Sequence, residues 1–493
     1  MNGSVCSTRL QRAFNFLDRL TFSKLLLIVF LFSLLLHIGM VLLFIDEPIA
    51  LDDMFQYDML ARSISQGNGY RWYAQADVET LRPYYSQFLD LDALPFPKLG
   101  LPTTFRAPGY PAFLALLYLL VPLSAHFILA RLVQALLAAA LAPLAAFLGM
   151  KIGLSRRNCF LAGTAMSLYP ILLFYPIGLI SENLYIPLGV VTVITLYYSI
   201  SKRSLSWVAL AGCLCGLTLL SRSIFAISAL LAGLWLWCHH PARLKAAAVF
   251  LLVTFGLCLP WSIRNSLQMK KPSFVENSLG YNLFIGYHPQ GDGGFVSKIA
   301  ILPMNILDDS LRDNYCFRQA ISFIRADPVE AMRRVFVRLG KFVGPEVREF
   351  DYFYSNDLLG PISLPALICI YLLLVIPWGA IFILGVFGLW QTRHSSLTRL
   401  VVFFCLGYGL PHLFIIAEPR FHLAALPLLL PFAVSGGKSA RLIPWHNRFK
   451  KEDLIGLILL TLTAGIYLFC LITTLPVILT ILQSGGNVLH FSY

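Results

Sequence analysis

The sequence predicts an all-α integral membrane protein, a polytopic bundle of about eleven transmembrane helices with further helices on its outer surface. Three observations lead there. Of 493 residues, 58% are hydrophobic and only 13% charged, far from the profile of a soluble domain. The apolar residues fall in runs long enough to cross a bilayer. The net charge of +13 collects in the short loops of one side, as the positive-inside rule requires.

The elements follow in order. Arg9, Arg12, Arg19 and Lys24 precede the first apolar run, so 1–23 is a cytoplasmic segment and 24–45 a signal anchor, with no small-residue cleavage site after it. The first outer loop is 46–125. Within it, 108–123 is a surface or re-entrant helix, because a crossing there would put Lys151, Arg156, Arg157 and every later basic loop outside. The bundle 126–262 carries spans at 127–150, 158–175, 184–200, 205–220, 224–238 and 246–261. A second outer loop fills 263–360, and 361–482 holds spans at 364–390, 400–416, 421–434 and 454–482, before a tail at 483–493. The inner turns collect Lys202, Arg203, Arg243, Lys245, Arg393, Arg399, Lys438, Arg441, Arg448, Lys450 and Lys451. In the second loop, Asp327-Pro328 is a helix start. Val329, Met332, Phe336 and Leu339 then recur at helical spacing, with Arg333, Arg334, Arg338 and Lys341 between them. That pattern suits either a helix on the membrane surface over anionic head groups or one packed on its own loop domain.

Other classes are disfavoured. The ten cysteines lie mostly inside apolar runs and match no metal spacing, so they read as small core residues. The basic charge belongs to a membrane surface rather than to nucleic acid. No internal repeat and no Gly-rich phosphate loop is present, which argues against arrays and nucleotide-binding domains.

On this threading Asp52, Asp53, Arg106, Glu182, Arg222, Arg264, Glu418 and Arg420 all fall at the outer ends of spans or just beyond. Carboxylates and guanidiniums in one shallow layer suit a phosphorylated ligand held by cations while a carboxylate handles a proton. Transfer of a sugar from a lipid phosphate needs that inventory. The leaving phosphate is already an anion, so cations stabilise it and one base activates the acceptor hydroxyl. Each residue also has a plainer reading: solvated acids for Asp52 and Asp53, interfacial snorkelling for Arg222 and Arg420, and a helix-start acid for Glu182. His412 reads as a satisfied bundle histidine.

The motifs as a set resemble a known family. Asp52-Asp53 with Tyr57 and Ala61, Arg106-Ala107-Pro108-Gly109-Tyr110-Pro111, Ser181-Glu182, Leu220-Ser221-Arg222, Pro260-Trp261-Ser262-Ile263-Arg264-Asn265 and Glu418-Pro419-Arg420-Phe421 with Pro427 resemble the bacterial branch of the dolichyl-phosphate-mannose protein mannosyltransferases. That branch includes the aminoarabinose transferase of lipid A. The resemblance implies the GT-C fold and an inverting transferase using a polyprenyl-phosphate sugar on the periplasmic face of a bacterial inner membrane. It implies a catalytic carboxylate at Asp53 or Asp52, donor-phosphate roles for Arg106, Arg222, Arg264 and Arg420, and sugar or acceptor contacts for Glu182, Tyr57 and Glu418. The chain departs from the family in having Asp52-Asp53 where Asp-Glu is common, and Ala107-Pro108 where many relatives have Pro-Pro.

The expected partners are a polyprenyl-phosphate sugar, a lipid or glycan acceptor (with a protein acceptor also open) and the bilayer, with no nucleic acid, no cofactor and no metal. A transporter or flippase for an anionic lipid or solute is the rival from another class, although its charges would sit nearer the midplane. A polysaccharide polymerase or ligase using a diphosphate-linked donor is the third reading.

Overall fold

A backbone surrounded by lipid must satisfy its own polar groups, and a helix does so within one segment. The computed structural model, which describes residues 17–347, 363–440 and 451–483, is accordingly helical almost throughout. The exception among the described residues is a two-residue antiparallel ribbon, in which Arg71 faces Pro102 and Trp72 faces Leu101.

Among the described residues, seven helices are long and apolar enough to cross a membrane: Phe22–Leu43, Leu123–Lys151, Glu182–Lys202, Arg243–Met269, Pro365–Gln391, Ser396–Phe414 and Leu454–Thr480. An eighth candidate, Arg156–Ser167 with Pro170–Ile177, is bent by 56°. The remaining three expected spans coincide with the shorter apolar helices Leu205–Ser221, Ser223–His239 and Leu426–Gly437. Local backbone marks where these helices begin and end. Arg222 is extended (φ −155°) between two of these helices, and Pro419 opens a 3-10 turn ahead of the third. The stretch expected to be a surface or re-entrant helix is the ten-residue helix Gly109–Tyr118, about 15 Å long and half the thickness of a hydrocarbon core.

The two ends of the bundle differ in chemistry. At the N-terminal end, Arg156 donates to the carbonyls of Asp18 and Leu20, and Arg157 pairs with the Asp18 carboxylate. At the opposite end the buried Arg131 donates to the carbonyls of Ile45 (2.5 Å) and Ile177 (2.8 Å), closing the exits of two helices over a third. Between these ends small residues let helices approach. A Cβ on Gly212 would meet the Phe250 carbonyl oxygen at 2.9 Å, and one on Gly216 would meet that of Thr254 at 3.0 Å.

Beyond the bundle, both outer excursions share one layer. Phe55, Trp72 and Phe105 of the first pack with Tyr281, Phe284 and Ile299 of the second in a single apolar cluster. The helix Pro328–Val343 follows the second of its two readings, packed on its own loop. Arg334 and Arg338 turn inward, where Arg334 donates to the His288 carbonyl (2.8 Å) and Arg338 to the Gly286 and Gly293 carbonyls. Val329, Met332 and Phe336 are the side chains left outside. Arg333 stays on the surface and, with Arg334, holds the Glu330 carboxyl down to about 2. Residues 348–360 of the expected second loop, and the basic residues Arg9, Arg12, Arg441, Arg448 and Lys450, lie outside the described residues.

A charge cluster ties the helix Asp53–Ser65 to this frame. Asp58 accepts from Arg62 (2.7 Å) and Tyr118 (3.0 Å) and faces His126 at 3.4 Å, while Arg62 also pairs with Asp77 at 2.8 Å. Burial pushes the Asp58 carboxyl up, but His126 and Arg62 outweigh it and the net direction is down. A carboxyl lowered in the folded state adds stability above its unfolded pKa and loses it as pH falls through the folded value. Asp58→Ala is therefore expected to reduce stability by about 3 kcal/mol at neutral pH. In thermal melts of detergent-purified protein, the wild-type advantage over Asp58→Asn should be flat above about pH 5 and shrink below about pH 4.

Candidate functional site

Asp52 and Asp53 divide two tasks at one helix start. Asp52 is the N-cap of Asp53–Ser65, its Oδ1 accepting from the Met54 amide at 3.0 Å. Asp53 is the first helical residue and is only 25% exposed. Its Oδ1 accepts from Arg106, and its Oδ2 lies 3.3 Å from Arg420 Nη2, which donates to it. One carboxylate thus joins the first outer loop to a turn 367 residues later.

Arg106 is fixed on every side. Its Nε and Nη2 donate to Gln56 Oε1 at 2.9 and 2.6 Å, and its guanidinium lies 5.5 Å from the Tyr57 ring centroid. The loop that carries it is clamped as well. Asp309 accepts from Thr103 Oγ1 and the Thr104 amide, both at 2.7 Å, Asn277 donates its amide to the Thr104 carbonyl, and Tyr70 Oη donates to the Arg106 carbonyl at 2.9 Å. Gly109 is needed just past it, because a Cβ there would meet Ser221 Oγ at 2.6 Å and the Leu220 carbonyl carbon at 2.8 Å. The Arg106 loop therefore lies directly on the backbone that leads into Arg222.

The Arg222 side chain has no hydrogen bond or ion pair among the described residues; its guanidinium rests near the rings of Phe421 (5.6 Å) and Tyr185 (5.9 Å). Glu182, buried at 3% exposure, acts electrostatically on both Arg222 and Arg420. Its Oε2 accepts from Ser181 Oγ at 3.2 Å, and its buried Oε1 has no hydrogen-bond partner among the described residues, as is true of Arg420 Nε. Unsatisfied buried polar atoms cost about 1–3 kcal/mol each, more when charged. The Arg420 turn is anchored two residues on, where His422 stacks on Trp378 at 3.6 Å and hydrogen-bonds Glu346 at 3.0 Å.

The cluster borders a cavity of about 1410 Å³ lined by Asp52, Asp53, Arg106, Arg222, Glu276 and Arg420 at its polar end, and by Phe336, Val337, Cys470 and Val477 along an apolar flank; Glu182 is not among the lining residues. Glu418 lines it too, but its Oε1 accepts the Phe295 amide at 2.6 Å. Tyr57 is buried beneath Arg106, its Oη donating to Ser181 at 3.5 Å. Arg264 is not among the lining residues. The helix expected to end at 261 runs on to Met269, and from within it Arg264 donates to the carbonyls of Thr103 (2.5 Å) and Tyr70 (3.4 Å) while lying over Trp261.

Sequence reasoning passed over Gln56, Ser223 and Glu276. Gln56 sits one turn after Asp52 and Ser223 follows Arg222, so adjacency was their signal; Glu276 lies in an irregular segment with none. No group of three His, Cys, Asp or Glu side chains among the described residues is arranged to hold a metal. The chain matches no protein-family model and no curated protein sequence. Adding one methyl at the tight crossing, Gly109→Ala, should lower stability by about 1–3 kcal/mol through overpacking, measured as a fall in melting temperature, whereas Gly39→Ala, with nothing within 4 Å, should not.

Proposed function

We propose that this protein is a membrane glycosyltransferase of the GT-C type, moving a sugar from a polyprenyl-phosphate donor to an acceptor hydroxyl with inversion, at the face opposite its N-terminus. The observation that carries the reading is the shared Asp53 carboxylate. Arg106 and Arg420 hold it at the polar end of a large cavity, beside Arg222 with its hydrogen-bonding capacity unspent. The motif resemblance supports the same assignment.

An aspartate held by two guanidiniums is a weak base, since both cations favour its ionised form. A donor phosphate entering the cavity competes for those guanidiniums, and planar bidentate donors suit phosphate as well as carboxylate. Asp53 is then released to take the acceptor's proton. The acceptor oxygen attacks the anomeric carbon from the face opposite the phosphate, and the carbon–oxygen bond to phosphate breaks with its electron pair passing to the phosphate. Arg106, Arg222 and Arg420 stabilise that charge, and Asp53 keeps the proton until solvent removes it. Glu182, whose Oε1 is buried without a hydrogen-bond partner among the described residues, acts on the site through Arg222 and Arg420 and would reach a sugar or acceptor hydroxyl only once side chains around it move. The lipid tail follows the apolar flank, where each methylene contributes about 0.8 kcal/mol on leaving water.

The test is transfer by the purified full chain from a defined polyprenyl-phosphate sugar. Asp53→Asn should lower kcat by about 10²–10⁴-fold. Asp52→Asn should retain most activity, because asparagine caps a helix about as well as aspartate. Full activity in Asp53→Asn would end the proposal.

A further inference from the structure

We infer that Glu276 is a positioning residue that sets the spacing of the Arg106 and Arg222 guanidiniums and thereby the fit of the cavity to a phosphate group; this rests on the phosphate reading above. Glu276 lines the polar end of the cavity, yet its carboxylate is turned to protein on both oxygens. Oε2 accepts the amide of Ala107 at 3.2 Å, and Oε1 accepts the hydroxyl of Ser223. Each donor is the residue immediately after one of the arginines. One carboxylate therefore bridges turns that lie 169 and 53 residues from it along the chain.

The bridge is itself rigidly mounted. On one side the Val275 carbonyl accepts from Trp261 Nε1 (3.0 Å) and Asn265 Nδ2 (2.9 Å). On the other the Asn277 amide donates to the Thr104 carbonyl at 2.8 Å. The Gly109 contact against Leu220 and Ser221 fixes the same two turns by steric fit, so Glu276 supplies the hydrogen-bonded half of one spacer. A negative charge behind two cations weakens their pull on an anion, so electrostatics alone predicts that removing it tightens phosphate binding. Positioning predicts the reverse for a truncation, and the sign of the effect separates the two.

The experiment measures the affinity of the detergent-purified full chain for farnesyl phosphate by calorimetry. Glu276→Ala should bind about tenfold more weakly through loss of two hydrogen bonds to a charged acceptor. Glu276→Gln should bind as tightly as wild type or more so, since its carbonyl can accept from Ala107 and its amide can donate to Ser223 Oγ. Ser223→Ala, which removes one tether, should bind about threefold more weakly. Wild-type binding with Glu276→Ala equal or tighter, or with Glu276→Gln as weak as Glu276→Ala, would overturn this inference alone. No wild-type binding would overturn the phosphate reading and this inference with it. If Glu276→Ala fails to purify folded, Ser223→Ala decides, and unchanged affinity there overturns the inference.

Discussion

The Asp53 carboxylate, shared between Arg106 and Arg420, is the interaction around which the outer face is organised. Guanidiniums brought together under partial burial repel one another, and a carboxylate between them offsets that repulsion while no ligand is present. It also closes a loop through the whole chain, from the first helix of the outer layer to the turn after the Ser396–Phe414 span. On the function proposed above, both cations already have an anion, so an incoming phosphate would exchange with Asp53. Binding of an anion and release of a base are then one event.

The exchange needs walls that stay in place, and much of the outer layer serves that end. Asp309, Asn277, Tyr70 and Arg264 together hold the carbonyl, amide and hydroxyl groups of residues 103–106. Arg264 illustrates how a residue type suited to phosphate can be committed instead to backbone carbonyls. Its charge remains in the region, but its donors serve Thr103 and Tyr70.

The Pro328–Val343 helix reverses the usual arrangement of an outer-layer helix. Two of its arginines are buried against carbonyl groups while Val329, Met332 and Phe336 face out, with Phe336 at the rim of the cavity. Burying a guanidinium is costly unless its donors are used, and here the carbonyls of residues 286, 288 and 293 use them. The apolar residues gain nothing from water, so this face and the flank of Leu454–Thr480 form a continuous greasy edge beside the polar site.

By itself the sequence determined the all-α membrane class and singled out charges that the structure brings to the edge of one cavity. Those follow from one-dimensional patterns: apolar run length against bilayer thickness, basic residues in short turns, and charges stranded at span ends. Asp53, Arg106, Arg222 and Arg420 were legible because a charge beside an apolar run is conspicuous. Only the tertiary structure decided how each charge is used. Asp52 caps while Asp53 pairs, a choice made by which donors lie in reach rather than by residue type. The helix expected from residue 421 begins only at Leu426, after the 3-10 turn at Pro419, and the helix expected to end at 261 runs on to Met269. Glu276 was invisible in the sequence because its role is to touch two turns far away along the chain. A hydrogen bond depends on distance and direction in space, and neither is written in the spacing of residues.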